Sequence, residues 1–281
     1  MAQHSRDRYR AGMPQLARNG LSENWLLKEC GDRHWNALAA ATGRAVPDFV
    51  DDDGERAYAA FTAVSVRDAR LDRIGENDLF EIDTSLVRSG AARHFSEHWL
   101  LAGGALHARV SMCSAFVRRR EAGNNQSVVR ARFAALDAPV AATPDDALAL
   151  ARFGKLLRAG QWSDELGVAR PLPLDGGDDA AVRFEPCPNS DFNGADFLYF
   201  ASFQAFVDRA EWAARRVAEA PALARRDLFY HGNLNVGDTL AVRTVAQRAD
   251  GGELAHWCEI LRGSDREKIA DVVTVKRWER P

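Results

Sequence analysis

The chain has 281 residues, enough for one large domain or two ordinary ones. Apolar residues make up 46% and charged residues 27%, a globular balance that argues against disorder. The net charge of −3 argues against bulk binding to nucleic acid but leaves room for a local basic patch on a phosphorylated ligand. No apolar run reaches the length of a membrane span, and the opening MAQHSRDRYR lacks the apolar core of a signal peptide. The four cysteines (Cys30, Cys113, Cys187 and Cys258) form no CxxC pair and show no paired histidine or zinc spacing. A cytoplasmic chain with free thiols and no metal is expected.

Residues 1–12 are polar and read as a loose arm or an edge strand. Asn19-Gly20 makes a turn, Ser22 is a helix N-cap, and Glu23 sits in the first turn. Trp25, Leu26, Glu29, Cys30, His34, Trp35 and Leu38 then follow at helical spacing, up to a stop near Gly43. Residues 44–57 form an acidic loop. YAAFTAVSVRDARL from Tyr58, LFEIDTSLVRSG, ARHFSEHWLLAGG and LHARVSMCSAFVRRR alternate like strands, and together they predict an antiparallel meander. Residues 128–136 predict a short strand and residues 144–157 a helix. Residues 171–179 are a Pro/Gly/Asp-rich connector.

The most organised stretch is residues 191–212, DFNGADFLYFASFQAFVDRAEW. Phe197, Phe200, Phe203 and Phe206 recur every three residues, which predicts a helix wrapped on several sides and closing on Trp212. Asp191 or Asn193 can cap it. The amides of Asn193, Gly194 and Ala195 are then expected at its start, where they can polarise a thioester carbonyl or simply be capped. Three or four further strands follow.

The two halves match in outline. Asn19-Gly20 leads to Trp35 as Asn193-Gly194 leads to Trp212, and His98-Trp99 corresponds to His256-Trp257. Long helix then strands, twice, is an internal repeat of an α+β unit. The expected boundaries are 1–120 for the first repeat, 121–180 for a linker with a helix, and 181–281 for the second repeat.

DFNGADFLYFASF resembles the D-x-N-G turn-and-helix of hot-dog thioesterases and dehydratases, and HGNLNVGDTLAV resembles the segment that follows it there. Both halves fit, which implies a double hot-dog: two long central helices wrapped by antiparallel strands of one continuous sheet. GMPQLARNGLSENWLLKECGDRHW resembles the LnmK-type bifunctional acyltransferase/decarboxylase family of polyketide biosynthesis. That resemblance implies decarboxylation of a malonyl- or methylmalonyl-type CoA thioester and delivery of the acyl group to an acyl carrier protein. It also implies no cofactor and a tyrosine that falls at Tyr58.

Decarboxylation builds charge on a thioester oxygen, so donors must face that oxygen. The expected catalytic set is Tyr58, Ser22, Glu23 and Asn193. The expected substrate-binding set is Asn19, Gly20, Asp191, Gly194, His231 and Asn233. Capping competes with function for Ser22 and Asn193, and a surface hydroxyl competes for Tyr58. His34, His98 and His256 read as core. Arg118, Arg119, Arg120, Arg215, Arg216, Arg225 and Arg226 are available for phosphates of CoA or phosphopantetheine. The alternatives are a hot-dog thioesterase or dehydratase, which Glu23 and Asp191 keep open, and a non-catalytic acyl-thioester-binding module. No nucleic acid or membrane partner is expected, and a homodimer is possible.

Overall fold

The computed structural model describes residues 3–88, 93–134, 142–174, 181–217 and 219–278. The chain divides into two compact units, Met1–Ala151 and Arg152–Pro281, with the boundary inside the stretch read as a linker.

The first unit opens with β1 (Gln3–Arg10), a small hairpin of β2 (Leu16–Ala17) and β3 (Gly20–Leu21), and α1 (Glu23–Ala41). Then come β4 (Phe49–Val50), β5 (Arg56–Arg67), β6 (Leu79–Arg88), β7 (Arg93–Ala102), β8 (Ala105–Arg119) and β9 (Val128–Arg130). Residues 135 and 136 of the expected short strand lie outside the described residues. Helix α2 (Asp145–Arg158) occupies the expected helical stretch and crosses the boundary between the units.

β6, β7 and β8 form a meander, but β5 does not precede β6 in it. β5 pairs with the far edge of β8, with Tyr58 opposite Val117, so the order is β1-β6-β7-β8-β5. The edge of β6 is taken instead by β1, from Gln3 opposite Leu86 to Arg10 opposite Leu79. The polar N-terminal arm is therefore an edge strand. Its arginines pair with β6 acids, Arg6 with Asp83 at 2.6 Å and Arg8 with Glu81 at 2.6 Å, and charge of this kind protects an edge from further pairing.

The second unit contains β10 (Leu172–Pro173), β11 (Val182–Phe184), α3 (Pro188–Asp191), α4 (Phe200–Ala214), β12 (Ala222–Tyr230), β13 (Leu240–Asp250), β14 (Glu253–Arg262) and β15 (Lys268–Arg277). Residues 175–179 of the expected connector lie outside the described residues. The order is β12-β15-β14-β13-β10, with β11 also on β13. This is the plan of the first unit again. A helix leads to a strand that pairs with the last strand of a three-strand meander, and the segment before the helix pairs with the meander's first strand.

Each helix lies on its sheet through a buried polar seam. In the first unit, Arg33 and His34 of α1 reach the sheet. Arg33 Nε donates to Thr84 Oγ1 at 2.6 Å, and its other nitrogens reach Ser5 O, Ile82 O, Tyr9 and Asp7. Thr84 Oγ1 lies 2.9 Å from His98 Nδ1, and Ser96 Oγ lies 2.9 Å from His98 Nε2. Ser96 Oγ is 2.7 Å from His34 Nδ1, and Ser114 Oγ is 2.8 Å from His34 Nε2. A guanidinium can only donate, so Thr84 accepts from Arg33 and keeps its proton and a second lone pair for His98. The run of contacts continues through Ser96 and His34 as far as Ser114. Burial favours both imidazoles neutral. Burial, with the Arg33 charge, pushes His98 down to about 3, and burial, with the neighbouring histidines, holds His34 well below its ordinary value.

In the second unit the seam is ionic. Asp208 and Glu211 of α4 meet Lys276 at 2.9 Å each, and Asp208 also takes Arg226 Nη2 at 2.8 Å. Glu211 Oε2 is 2.9 Å from His256 Nε2, whose Nδ1 is 3.4 Å from Cys258 Sγ. Burial works against a charged His256, but Cys258 and the Glu211 carboxylate outweigh it and raise His256 to about 9. The sequence shows no histidine partner for a cysteine. The fold supplies one, because residues 256 and 258 share a strand face. The two units also correspond here: the helix residue before Trp35 is His34, the one before Trp212 is Glu211, and each serves the histidine at the matching point of the sheet, through Ser96 in one case and directly in the other.

His94, on the same face of β7, is 1% exposed, and neither ring nitrogen has a partner among the described residues. Burial, with Arg88 nearby, pushes it down to about 4. Both His94 and His98 take up a proton more readily when unfolded, where histidine titrates near about 6.5. Their contribution is therefore complete above that pH and is lost as pH falls toward 4 and 3. Each histidine should remove about 1.4 kcal/mol per pH unit over that range. His34, held low in the same way, adds a third contribution of the same sign. Urea denaturation stepped from neutral pH to pH 5 should show this loss, and His94→Phe should reduce the slope by roughly a third. A flat profile would contradict the burial of neutral imidazoles.

Candidate functional site at the helix starts

At the start of α1, Ser22 caps the helix, with Oγ accepting from the Trp25 amide at 3.3 Å. Glu23 is half-buried in the first turn, and Asn19 is exposed at the hairpin tip. Gly20 has φ +93°, and a Cβ there would lie 2.3 Å from Leu71 O. Gly20 is fixed by close backbone packing, not by an open cradle. Asn19, Gly20, Ser22 and Glu23 are thus brought together.

Tyr58 is not with them. Its neighbours Ala57 and Ala59 pack with Leu38 in the core, and Trp35 Nε1 donates to Ala59 O at 3.0 Å. Strand alternation turns Tyr58 to the face away from α1. Trp35 lies thirteen residues along the helix from Ser22, about 20 Å at the rise of an α-helix. The guanidiniums of Arg56 and Arg119 lie 5.7 and 5.6 Å from the centroid of the Tyr58 ring.

At the second helix the sequence places the start too early. α4 begins at Phe200, not at residues 191–195. The intervening loop spends its own amides. Asn193 N donates to Phe197 O at 2.9 Å, while Asn193 Oδ1 accepts from Ala195 N at 3.0 Å and Phe197 N at 3.1 Å. Asn193 is therefore an Asx turn that closes a loop containing Gly194, an arrangement that competes with helix for Asn. Asn233 clamps the same loop: its side chain accepts from Leu198 N at 2.9 Å and donates to Leu198 O at 3.1 Å.

Asp191 does reach the true helix start. Its carbonyl accepts from Tyr199 N at 2.8 Å and from Ser202 Oγ at 3.0 Å. Its Oδ2 accepts from Cys187 N at 2.8 Å, and its Oδ1 makes no hydrogen bond among the described residues. Asp191 is 5% exposed. No side chain caps α4, and the Ala201 amide lies in that uncapped first turn. A helix start of this kind favours developing negative charge.

His231 points elsewhere. Tyr230, one residue before it, donates to Phe200 O at 3.1 Å on the α4 face. His231 takes the opposite face, with Nε2 2.8 Å from Asp271 Oδ2. Asp271 also accepts from Trp257 Nε1 at 2.8 Å and from Lys268 Nζ at 3.2 Å. The structure thus groups Asp191, Asn193, Gly194 and Asn233 and turns His231 away.

Most of the arginines considered for phosphate are already engaged. Arg226 is fully buried on Asp208, Arg225 pairs with Asp227 at 2.6 Å, Arg118 reaches Asp51 and Asp53, and Arg119 reaches Asn125. No group of His, Cys, Asp and Glu suited to a metal ion occurs among the described residues. No described helix is long and apolar enough to cross a membrane.

No family model matches the chain, and no curated protein matches it in sequence. Solved structures match it in fold. The 12:0-ACP thioesterase from Umbellularia californica aligns over 98% of this chain and 94% of its own, at 12% identity and TM-score 0.65. A protein from Lactobacillus plantarum, described provisionally as an oleoyl thioesterase, aligns over 100% and 98%, at 10% identity and TM-score 0.64. An acyl-ACP thioesterase from Bacteroides thetaiotaomicron aligns over 98% of both chains, at 9% identity and TM-score 0.60. The fold is a double hot-dog. At such identities the likeness speaks for the fold, and the chemistry must be argued from the site.

Gly20→Ala should cost about 2–4 kcal/mol, from the left-handed backbone and from the clash with Leu71 O. Urea denaturation measures it. A cost below about 0.5 kcal/mol, the scale of a neutral surface change, would contradict the close packing at the start of α1.

Proposed function

We propose that this chain acts on acyl thioesters and that its reaction is hydrolysis, with the working site at the start of α4. The observation that carries this is Asp191, a buried carboxylate fixed by its own carbonyl to the first turn of an uncapped helix. Asp191 Oδ1 takes a proton from water as the water oxygen attacks the thioester carbon. The charge that develops on the carbonyl oxygen is held by the first-turn amides, where the Ala201 N–H lies. The tetrahedral intermediate then expels the thiolate, which recovers the proton from Asp191. Base and oxyanion donor then belong to one unit, and this chemistry calls for no metal or organic cofactor. Two structures that share the fold are thioesterases of acyl carrier protein substrates, which supports a thioester substrate here.

Removing a general base costs about 100- to 10,000-fold in rate. Asp191→Asn should therefore lower kcat for acyl-CoA hydrolysis by that order, followed by free thiol release. Tyr58→Phe, on a distant face, should stay within about threefold, a loss worth less than 1 kcal/mol. Retained activity in Asp191→Asn would rule out this assignment.

A second reaction is kept open by one observation. The stretch that resembles the LnmK-type family folds as a single piece: the Met13–Gln15 turn, the hairpin held by Gly20, the Ser22 cap, and Arg33 and His34 in the seam. Incubation with methylmalonyl-CoA and a carrier protein, followed by intact mass, tests decarboxylating transfer. A propionyl adduct on the carrier supports it, and an unmodified carrier with CoA released favours hydrolysis.

A further inference from the structure

Helix α4 is wrapped from Phe200 to Val207 but not, as expected, to its end, where Trp212 is 49% exposed. Two polar side chains lie inside the wrapped part. Ser202 spends its hydroxyl on Asp191 O. Gln204 is 3% exposed, and its side-chain amide has no hydrogen-bond partner among the described residues. A buried amide left without a partner costs free energy, so its presence calls for a reason.

Packing is not that reason. The residue that stands as far before Trp35 in α1 as Gln204 stands before Trp212 in α4 is Leu27, which is fully buried. An apolar side chain serves the same place in the first unit. The second unit, whose helix start has Asp191 beside it and no side-chain cap, carries the amide instead.

Position ties Gln204 to that start. Ala201, Gln204 and Asp208 stand at i, i+3 and i+7 and share one face of α4. Asp208 marks this face as the one toward the sheet, since it meets Arg226 and Lys276 there. A helical side chain leans toward the N-terminus and covers the turn before its own Cα. The Gln204 amide is thus directed over the turn that holds the Ala201 N–H, on the buried side.

We infer that Gln204 selects the acyl chain by binding a neutral oxygen close to the thioester, and that the substrate class is a 3-hydroxyacyl thioester. The inference rests on the hydrolytic reading above, with the thioester oxygen at the Ala201 N–H. An acyl chain that follows this face meets Gln204 within its first few carbons, because one helical turn rises only about 5 Å. A hydroxyl there accepts from Nε2 and donates to Oε1, so both ends of the amide are satisfied at once. A plain fatty chain leaves both unpaired, and a carboxylate would be buried against a neutral group.

The test compares 3-hydroxyoctanoyl-CoA with octanoyl-CoA, using the full chain and release of free thiol. The wild type should favour the hydroxyacyl thioester in kcat/KM by about tenfold or more. Gln204→Leu should move that ratio toward octanoyl-CoA by about tenfold or more. Its urea midpoint should hold or rise, because the amide makes no contact that the fold needs. A wild type without the preference, a variant with an unchanged ratio, or a fall in the midpoint overturns the inference. If the wild type hydrolyses neither thioester, the hydrolytic reading fails by itself. Calorimetry with two non-hydrolysable thioethers, S-(3-hydroxyoctyl)-CoA and S-octyl-CoA, then decides the role of Gln204. Binding of the hydroxylated thioether that is tighter by about tenfold, with the difference lost in Gln204→Leu, upholds it. Equal binding of the two, or none, overturns it.

Discussion

The structure depends on how each long helix is joined to its sheet. A wholly apolar seam would bind the helix without fixing its rotation or its depth. Here the seam contains hydrogen bonds that close at one register only. In the first unit a continuous run of contacts leads from Arg33 through Thr84, His98, Ser96 and His34 to Ser114. In the second, Asp208 and Glu211 are each tied to cations from two strands or to a cation and an imidazole. Buried polar groups of this kind are costly when a partner is missing, so they specify an arrangement more than they strengthen it. His94 illustrates the cost, since neither of its ring nitrogens has a partner among the described residues.

The same plan serves the two halves with different chemistry. One seam joins a single guanidinium, Arg33, to serine, threonine and neutral histidine, and the other joins carboxylates to Lys276, Arg226 and His256. The positions nevertheless correspond, residue before tryptophan on the helix and histidine before tryptophan on the strand. The shared plan fixes which places face each other, while the side chains at those places differ. The two helix starts differ in the same way. The start of α1 is capped by Ser22 and tightly packed by Gly20, whereas the start of α4 has no side-chain cap and has a carboxylate beside it. An uncapped start is the one able to receive a developing negative charge.

Much of this was legible from the residues. Alternation and turn residues located the long strands, and helical spacing located α1 and α2. The Ser22 cap was readable because a capping serine lies within a few residues of what it caps. The start of α4 was not. Asn193 and Gly194 carry a turn signal and a helix-start signal at once, and the loop won because Asn193 could satisfy two amides locally while Asn233, forty residues later, held the loop shut. The pairing of Cys258 with His256 and Glu211 was equally hidden, since it needs a strand face and a helix face to meet.

What the sequence settled alone was therefore local: which segments are helix or strand, where polar residues punctuate them, and that the pattern occurs twice. Tertiary structure decided the facing. Only the packed sheet put β5 beyond β8, turned Tyr58 and His231 away from the central helices, left Trp212 in solvent and brought Asp191 to the first turn of α4. The reason is range: hydrogen bonds within a turn and periods of two or 3.6 act over a few residues, whereas the side of a sheet on which a residue falls is set by partners far along the chain.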